Sequence, residues 1–160
     1  MARQHNRAVR LNARVDYALR AVAELAASEA DADHPMTAER LATAQAIPSK
    51  FLESILLQLR RAGVVRSQRG PEGGYWLARP AAEISLADVI RVIDGPLANV
   101  RGHRPEHLGY QGAAAALQEV WVALRANERE ILELVTMADL AQNALPERVR
   151  ALAANPSAWT

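Results

Sequence analysis

The chain has 160 residues, half of them apolar, only 4% aromatic and none of them cysteine. That length supports one domain with an appended element and a buried, helix-rich core, while the lack of cysteine excludes disulfides and thiol redox sensing. No run approaches the roughly 18 apolar residues of a membrane span and no secretory leader is legible, so the expected compartment is the cytoplasm. The net charge of +1 hides a polarity. Residues 1–80 hold 12 Lys and Arg against 8 Asp and Glu, hence +4; residues 81–160 hold 7 against 10, hence −3. A basic half joined to an acidic half suits a nucleic-acid-contacting head on a non-contacting body.

Residues 1–10, MARQHNRAVR, carry Arg3, Arg7 and Arg10 with little apolar content. They read as a disordered basic arm that lies along DNA, or as the product of an upstream start. Residues 12–28 read as the first helix, with Asn12 as cap and Val15, Ala18, Leu19, Val22 and Leu25 as its apolar stripe. An acidic loop follows over 29–35, and its isolated His34 reads as an ordinary loop histidine.

A helix is expected after Met36, with Thr37 as N-cap and Glu39 beside the positive helix start. A turn over Ala44–Ile47 separates it from a second helix that Pro48 opens as the first helical residue. In that helix Leu52, Ile55, Leu56 and Leu59 recur at i, i+3, i+4 and i+7, and Gly63 ends it as a left-handed cap. Two short strands are expected next, at Val64–Arg66 and Tyr75–Leu77, joined by the Gly-rich SQRGPEGG. This order is a winged helix-turn-helix, whose second helix enters the major groove.

The candidate DNA contacts follow from that docking. Ser49, Lys50, Glu53 and Ser54 face outward, and their side chains match base-edge chemistry. Phe51 packs under the preceding helix or meets a thymine methyl. Arg61, Arg66, Arg69 and Gly70 complete the set with Thr37, Arg69 being placed at the wing tip to enter a narrow minor groove.

Beyond the wing, Ser85-x-x-Asp88 is a capping box that opens a short helix ending at Gly95-Pro96. Residues 95–112 form a long polar loop. Its Arg101, His103, Arg104, His107 and Tyr110 are a candidate effector group. His103 and His107 could share a metal, although Pro105 spoils helical presentation, or the group could bind an anionic metabolite; a solvated loop with no ligand is the plainest reading. Residues 113–134 form the longest helix. Leu117, Val120, Trp121, Leu124 and Ile131, with Val135 just beyond, recur at three and four spacing and form a candidate dimerisation seam. Thr136-x-x-Asp139 opens another short helix, and 146–160 form a tail.

The run IPSKFLESILLQLRRAGVVRSQRGPEGGYWLARPAAEISLADVIRVID resembles the Rrf2 family of bacterial transcription regulators. So do VDYALRAVAELA upstream and Trp121 with TMADLA downstream. The wing motif RGxxGGY followed by LxRP is the specific part, and the resemblance spans about Val9 to Leu145. It implies a mainly helical winged helix-turn-helix, a two-fold dimer built on the long helix, and a pseudo-palindromic DNA operator. It also implies chains that begin near Val9. Many members hold an iron–sulfur cluster on three cysteines in the segment matching 95–112, and some place a ligand near His34. This chain has no cysteine, so no thiolate-held cluster and no cofactor is expected.

The organisation expected is therefore an arm over 1–10, a DNA-binding head over 11–94, a sensor-region loop over 95–112, a dimerisation helix with the next short helix over 113–145, and a tail. The expected function is a dimeric, sequence-specific DNA-binding regulator that represses transcription, with a small-molecule effector as an open addition. A winged helix that binds protein is the alternative, and Lys50, Arg61, Arg66 and Arg69 argue against it. No pairing of nucleophile and base and no phosphate loop points to an enzyme.

Overall fold

A computed structural model describes residues 11–159; the basic stretch 1–10 lies outside the described residues. The elements in order are α1 (Ala13–Ala27), α2 (Ala38–Gln45), α3 (Ser49–Arg61), β1 (Val65–Gln68), β2 (Gly74–Leu77), α4 (Leu86–Asp94), α5 (Leu117–Leu134), α6 (Met137–Ala141) and α7 (Glu147–Ala154).

Helix α1 starts where Asn12 accepts a hydrogen bond from the Val15 N–H at 2.9 Å. Its inner face buries Val15, Ala18, Ala21, Val22 and Leu25. This helix is the centre of the head, packing on α2, α3, α4, α6 and β2. Leu41, Leu52, Ile55, Leu56 and Leu59 close the core from the α2 and α3 side, and Ile84, Val89 and Met137 close it from the other. A second small cluster joins Val15, Ala87, Ile90 and Leu97, with Leu132 of α5 packed on it.

The turn between α2 and α3 depends on Ala46, which adopts a left-handed conformation at φ 50. Pro48 sits one position earlier than expected. It is the N-cap of α3 rather than its first helical residue, with extended ψ 127. Gly63, at φ 75, ends α3 in a double-bonded cap: the Val64 N–H reaches Leu59 O at 2.9 Å and the Gly63 N–H reaches Arg60 O at 3.1 Å.

The wing is an antiparallel pair in the register Val65↔Leu77, Arg66↔Trp76, Ser67↔Tyr75 and Gln68↔Gly74. Pairing thus extends two residues further into the Gly-rich segment than expected, and Val64 lies before the strand. The far edge of β2 is also held, because Tyr75 and Met36 exchange backbone hydrogen bonds at 2.7 and 3.0 Å. Gly74 permits that approach: a Cβ there would lie 2.5 Å from the Met36 carbonyl oxygen.

Both predicted capping boxes form, at Ser85–Asp88 and Thr136–Asp139. An isolated bridge couples them, Ser85↔Thr136. That bridge carries a correction. Val135, assigned to the dimerisation seam from its spacing, is only 2% exposed. Its carbonyl accepts the Leu86 N–H at 3.0 Å, so the chain's own core holds it.

The 95–112 segment is anchored rather than free. Leu97, Pro105 and Leu108 are buried, Val100 and His103 form a bridge, and Pro105–His107 makes a 3-10 turn. Helix α5 begins at Leu117, four residues later than expected. Gly112, at φ 59, opens a separate 3-10 turn over Gly112–Ala114, and no side chain caps α5. No residue of α5 is buried. Its polar ties include Arg91–Glu133 and, to α7, Arg148–Glu130 at 2.8 Å.

Candidate nucleic-acid interface

Helix α3 turns Leu52, Ile55, Leu56 and Leu59 inward. The same amphipathic geometry forces Ser49, Lys50, Phe51, Glu53, Ser54, Arg60 and Arg61 outward. No part of the described chain buries these side chains. Lys50 and Glu53 have no side-chain ion pair among the described residues.

Five hydrogen bonds fix this helix and its flanks. Arg14 of α1 donates from Nη2 to the Ser54 hydroxyl at 2.8 Å and to the Gln58 amide oxygen. Arg20 donates to the Gln45 carbonyl at 2.6 Å, and Gln45 donates to Glu24 at 2.6 Å, so α1 clamps the turn before α3. Arg60 donates to the Ser67 hydroxyl at 3.3 Å, joining α3 to β1.

Phe51 does not lie under α2. Its ring is half exposed and tilts against Tyr17 of α1, with centroids 5.8 Å apart. Arg20 stacks on Tyr17, 4.9 Å from the ring centre. This stack holds Phe51 at the edge of the polar face.

At the wing, Gly70 (φ 108) and Gly73 bracket a turn closed by Gly73 N–H to Gly70 O at 3.0 Å. Pro71 takes the second position, which its fixed φ favours. Arg69 and Gly70 are exposed at that tip, and Arg66 is exposed on β1. Thr37 accepts the Arg40 N–H at 3.2 Å as the N-cap of α2. Arg14 and Arg60 were missing from the sequence-based set. Arg60 was legible as the neighbour of Arg61; Arg14 had no local signal, because only the packing of α1 on α3 brings it there.

A family model described as "Iron-dependent Transcriptional regulator", Rrf2, matches residues 11–143. The chain belongs to the Rrf2 family. A protein of Mycobacterium tuberculosis, Rv1287, assigned by name to the HTH-type transcriptional regulators, is 50% identical over 145 residues, covering 91% of this chain and 89% of that one. The HTH-type transcriptional regulator CymR of Bacillus subtilis is 32% identical over 125 residues, covering 78% of this chain and 84% of the relative. The structure of CymR, described as the global cysteine regulator of B. subtilis, superimposes with a TM-score of 0.72 at 29% identity, covering 85% of this chain and 98% of that one. The T. potens IscR structure gives 0.67 at 27% identity, covering 95% and 97%.

Family and fold are those of DNA-binding transcription regulators with a winged helix-turn-helix, not of enzymes. No helix of the described residues is long and apolar enough to cross a membrane.

The iron in the Rrf2 family description does not fit this donor set. Iron–sulfur clusters in this setting need thiolates, and the chain has none. In the 95–112 segment Arg101, His103, Arg104 and His107 are exposed. No group of three or more His, Cys, Asp or Glu side chains gathers to hold a metal among the described residues. His34 is exposed beside Asp31, whose carboxyl the His34 backbone N–H holds below the usual range. Tyr110 is drawn away from the loop group, since its hydroxyl accepts the Trp121 indole N–H at 3.1 Å.

Proposed function

We propose that this Rrf2 chain is a cytoplasmic, homodimeric, sequence-specific repressor that reads a pseudo-palindromic operator. Residues 11–94 form its DNA-binding head and residues 113–145 its dimerisation unit. The observation that carries the reading is the uncovered polar face of α3, flanked by Arg14 on one side and by the wing on the other. Ser49, Lys50 and Glu53 would meet base edges in the major groove. Ser54 would do so with its hydroxyl already oriented by Arg14. Phe51 would offer a thymine methyl an apolar contact. Arg61 and Arg66 would neutralise phosphates, Thr37 would contact the backbone from the N-terminus of α2, and Arg69 with Gly70 would enter the flanking minor groove.

The dimer reading rests on α5. Leu117, Val120, Val122 and Leu124 are exposed on a helix none of whose residues is fully buried in its own chain. Burial of apolar surface contributes about 25 cal/mol per Å², so pairing this helix with its twin would recover free energy that the single chain leaves unused. Trp121 and Ile131 would extend the seam. Two heads related by a two-fold axis then match a two-fold operator.

The test combines sedimentation with footprinting. The expected result is a dimer that protects a symmetric operator. Val120→Glu with Leu124→Glu should give a folded monomer that no longer protects it. A wild-type monomer at high concentration, or protection unaffected by the double substitution, would remove the dimer from the mechanism.

A further inference from the structure

Arg91 from α4, Arg104 from the 95–112 segment, and Arg125 and Arg129 from α5 converge on one open cleft of about 370 Å³, floored by Gly95, Pro96 and Leu97. We infer that this cleft binds a small multivalent anion, carrying two or more carboxylate or phosphate groups, that clamps α5 against the DNA-binding head. Where it invokes DNA control, the inference rests on the function proposed above; the binding site itself does not.

The charges decide the sign of the ligand. Four guanidiniums face two carboxylates, since Glu133 pairs with Arg91 and Arg129, and Glu106 pairs with Arg125. Asp88 stands further off, 3.9 Å from Arg91. The C-terminus of α4 adds about half a negative charge. With Asp88 counted in full, an excess of about half a positive charge remains. The Arg104 guanidinium has no hydrogen-bond or ion-pair partner among the described residues, and the Arg125 Nε is buried without one. Guanidinium forks match planar or tetrahedral oxyanions with paired hydrogen bonds. The volume lies in the ordinary range for small-molecule sites, about 300–1,000 Å³.

The position gives the ligand leverage. α5 touches the head through Leu132 and the ion pair to Arg91, and the 95–112 segment through the ion pair to Glu106. An anion joining all three elements would fix the angle of α5, and with it the spacing of two recognition helices across the dimer axis. Only a ligand that favours one angle over another shifts the balance. The site differs from the polar loop group read in the sequence. Only Arg104 is shared between them; His103, His107 and Tyr110 are not part of the lining.

Calorimetric titration of the full chain tests this, with citrate, pyrophosphate and inorganic phosphate as probes at constant ionic strength set by chloride. Saturable binding of citrate or pyrophosphate is expected, and the stronger of the two identifies the carboxylate or phosphate class. Arg104→Ala with Arg129→Ala should weaken it at least about tenfold, the loss expected for charge-assisted hydrogen bonds. The thermal midpoint without anion should be unchanged, which separates site loss from unfolding. No saturable binding of either probe, or equal binding by the double variant, would overturn the inference. The titration contains no DNA, so failure of the DNA reading would appear separately, as a wild-type protein that takes the anion and binds no operator.

Discussion

Arg14 and Ser54 lie 40 positions apart, yet the Arg14 guanidinium sits 2.8 Å from the Ser54 hydroxyl on the outward face of α3. The same nitrogen bonds Gln58 one turn further on. Helix α1 therefore does more than support α3 from behind. It carries a cation to the rim of the outward polar face of α3 and orients two polar side chains there.

Arg14→Ala should weaken operator binding by about 0.5–1.5 kcal/mol, the scale of one oriented polar contact. Folding should change by less than about 1 kcal/mol, because the contact is largely solvent-facing. Fluorescence anisotropy with duplex DNA and urea unfolding would measure the two. Unaltered affinity would exclude α1 from the interface.

Arg69→Ala should cost about tenfold or more in affinity, or roughly 1.4 kcal/mol. The residue is exposed at the wing tip, so stability should stay within about 0.5 kcal/mol. A variant that binds as well as the parent would take the wing out of the recognition scheme.

Gly74→Ala acts on the fold instead. The new Cβ would meet the Met36 carbonyl oxygen at 2.5 Å, and the Met36–Tyr75 bonds must open to admit it. Overpacking of this kind costs about 1–3 kcal/mol. The melting midpoint should fall accordingly, and an unshifted midpoint would mean the Met36–Tyr75 bridge is not held in solution.

What could be read in advance was what is written locally. Asn12, the two capping boxes, the α3 stripe and the Gly-rich wing all depend on residues close together in the chain, and each formed, the wing with its strands shifted further into the Gly-rich segment than expected. The failures at Val135 and at the arginine cleft share one cause, which is distance along the chain. Val135 follows a helical apolar stripe, but the bridge from Ser85 to Thr136 pulls it inward. Residues 113–116 are alanines with good helix propensity, yet Gly112 turns the chain before α5 and no cap brings the start forward. Arg91, Arg125 and Arg129 come from two helices, and only their packing makes one cleft. Arg125 and Arg129, at i and i+4 on one face, were the legible part of it.

Glu128 of α5 gives a prediction with pH. Burial raises its carboxyl above the ordinary range, and one of its oxygens is buried without a partner. A raised folded-state pKa means that the native chain holds more protons than the unfolded chain between the two pKa values. Stability then falls as pH rises from the unfolded to the folded value, and stays lower above it. Glu128→Gln should therefore melt higher than the parent at neutral pH, with the gain vanishing below the ordinary carboxylate range. Parallel melting curves across that whole range would contradict the burial.

The measurement that reaches furthest is selection of duplexes from a random library by the purified full chain, followed by salt titration of the winners. Enrichment of a two-fold symmetric motif with half-sites about one helical turn, roughly 10 base pairs, apart is predicted, with affinity dropping steeply as salt rises because phosphate contacts release counterions. A library that emerges unenriched, with weak binding indifferent to salt, would contradict the assignment of α3 and the wing to DNA.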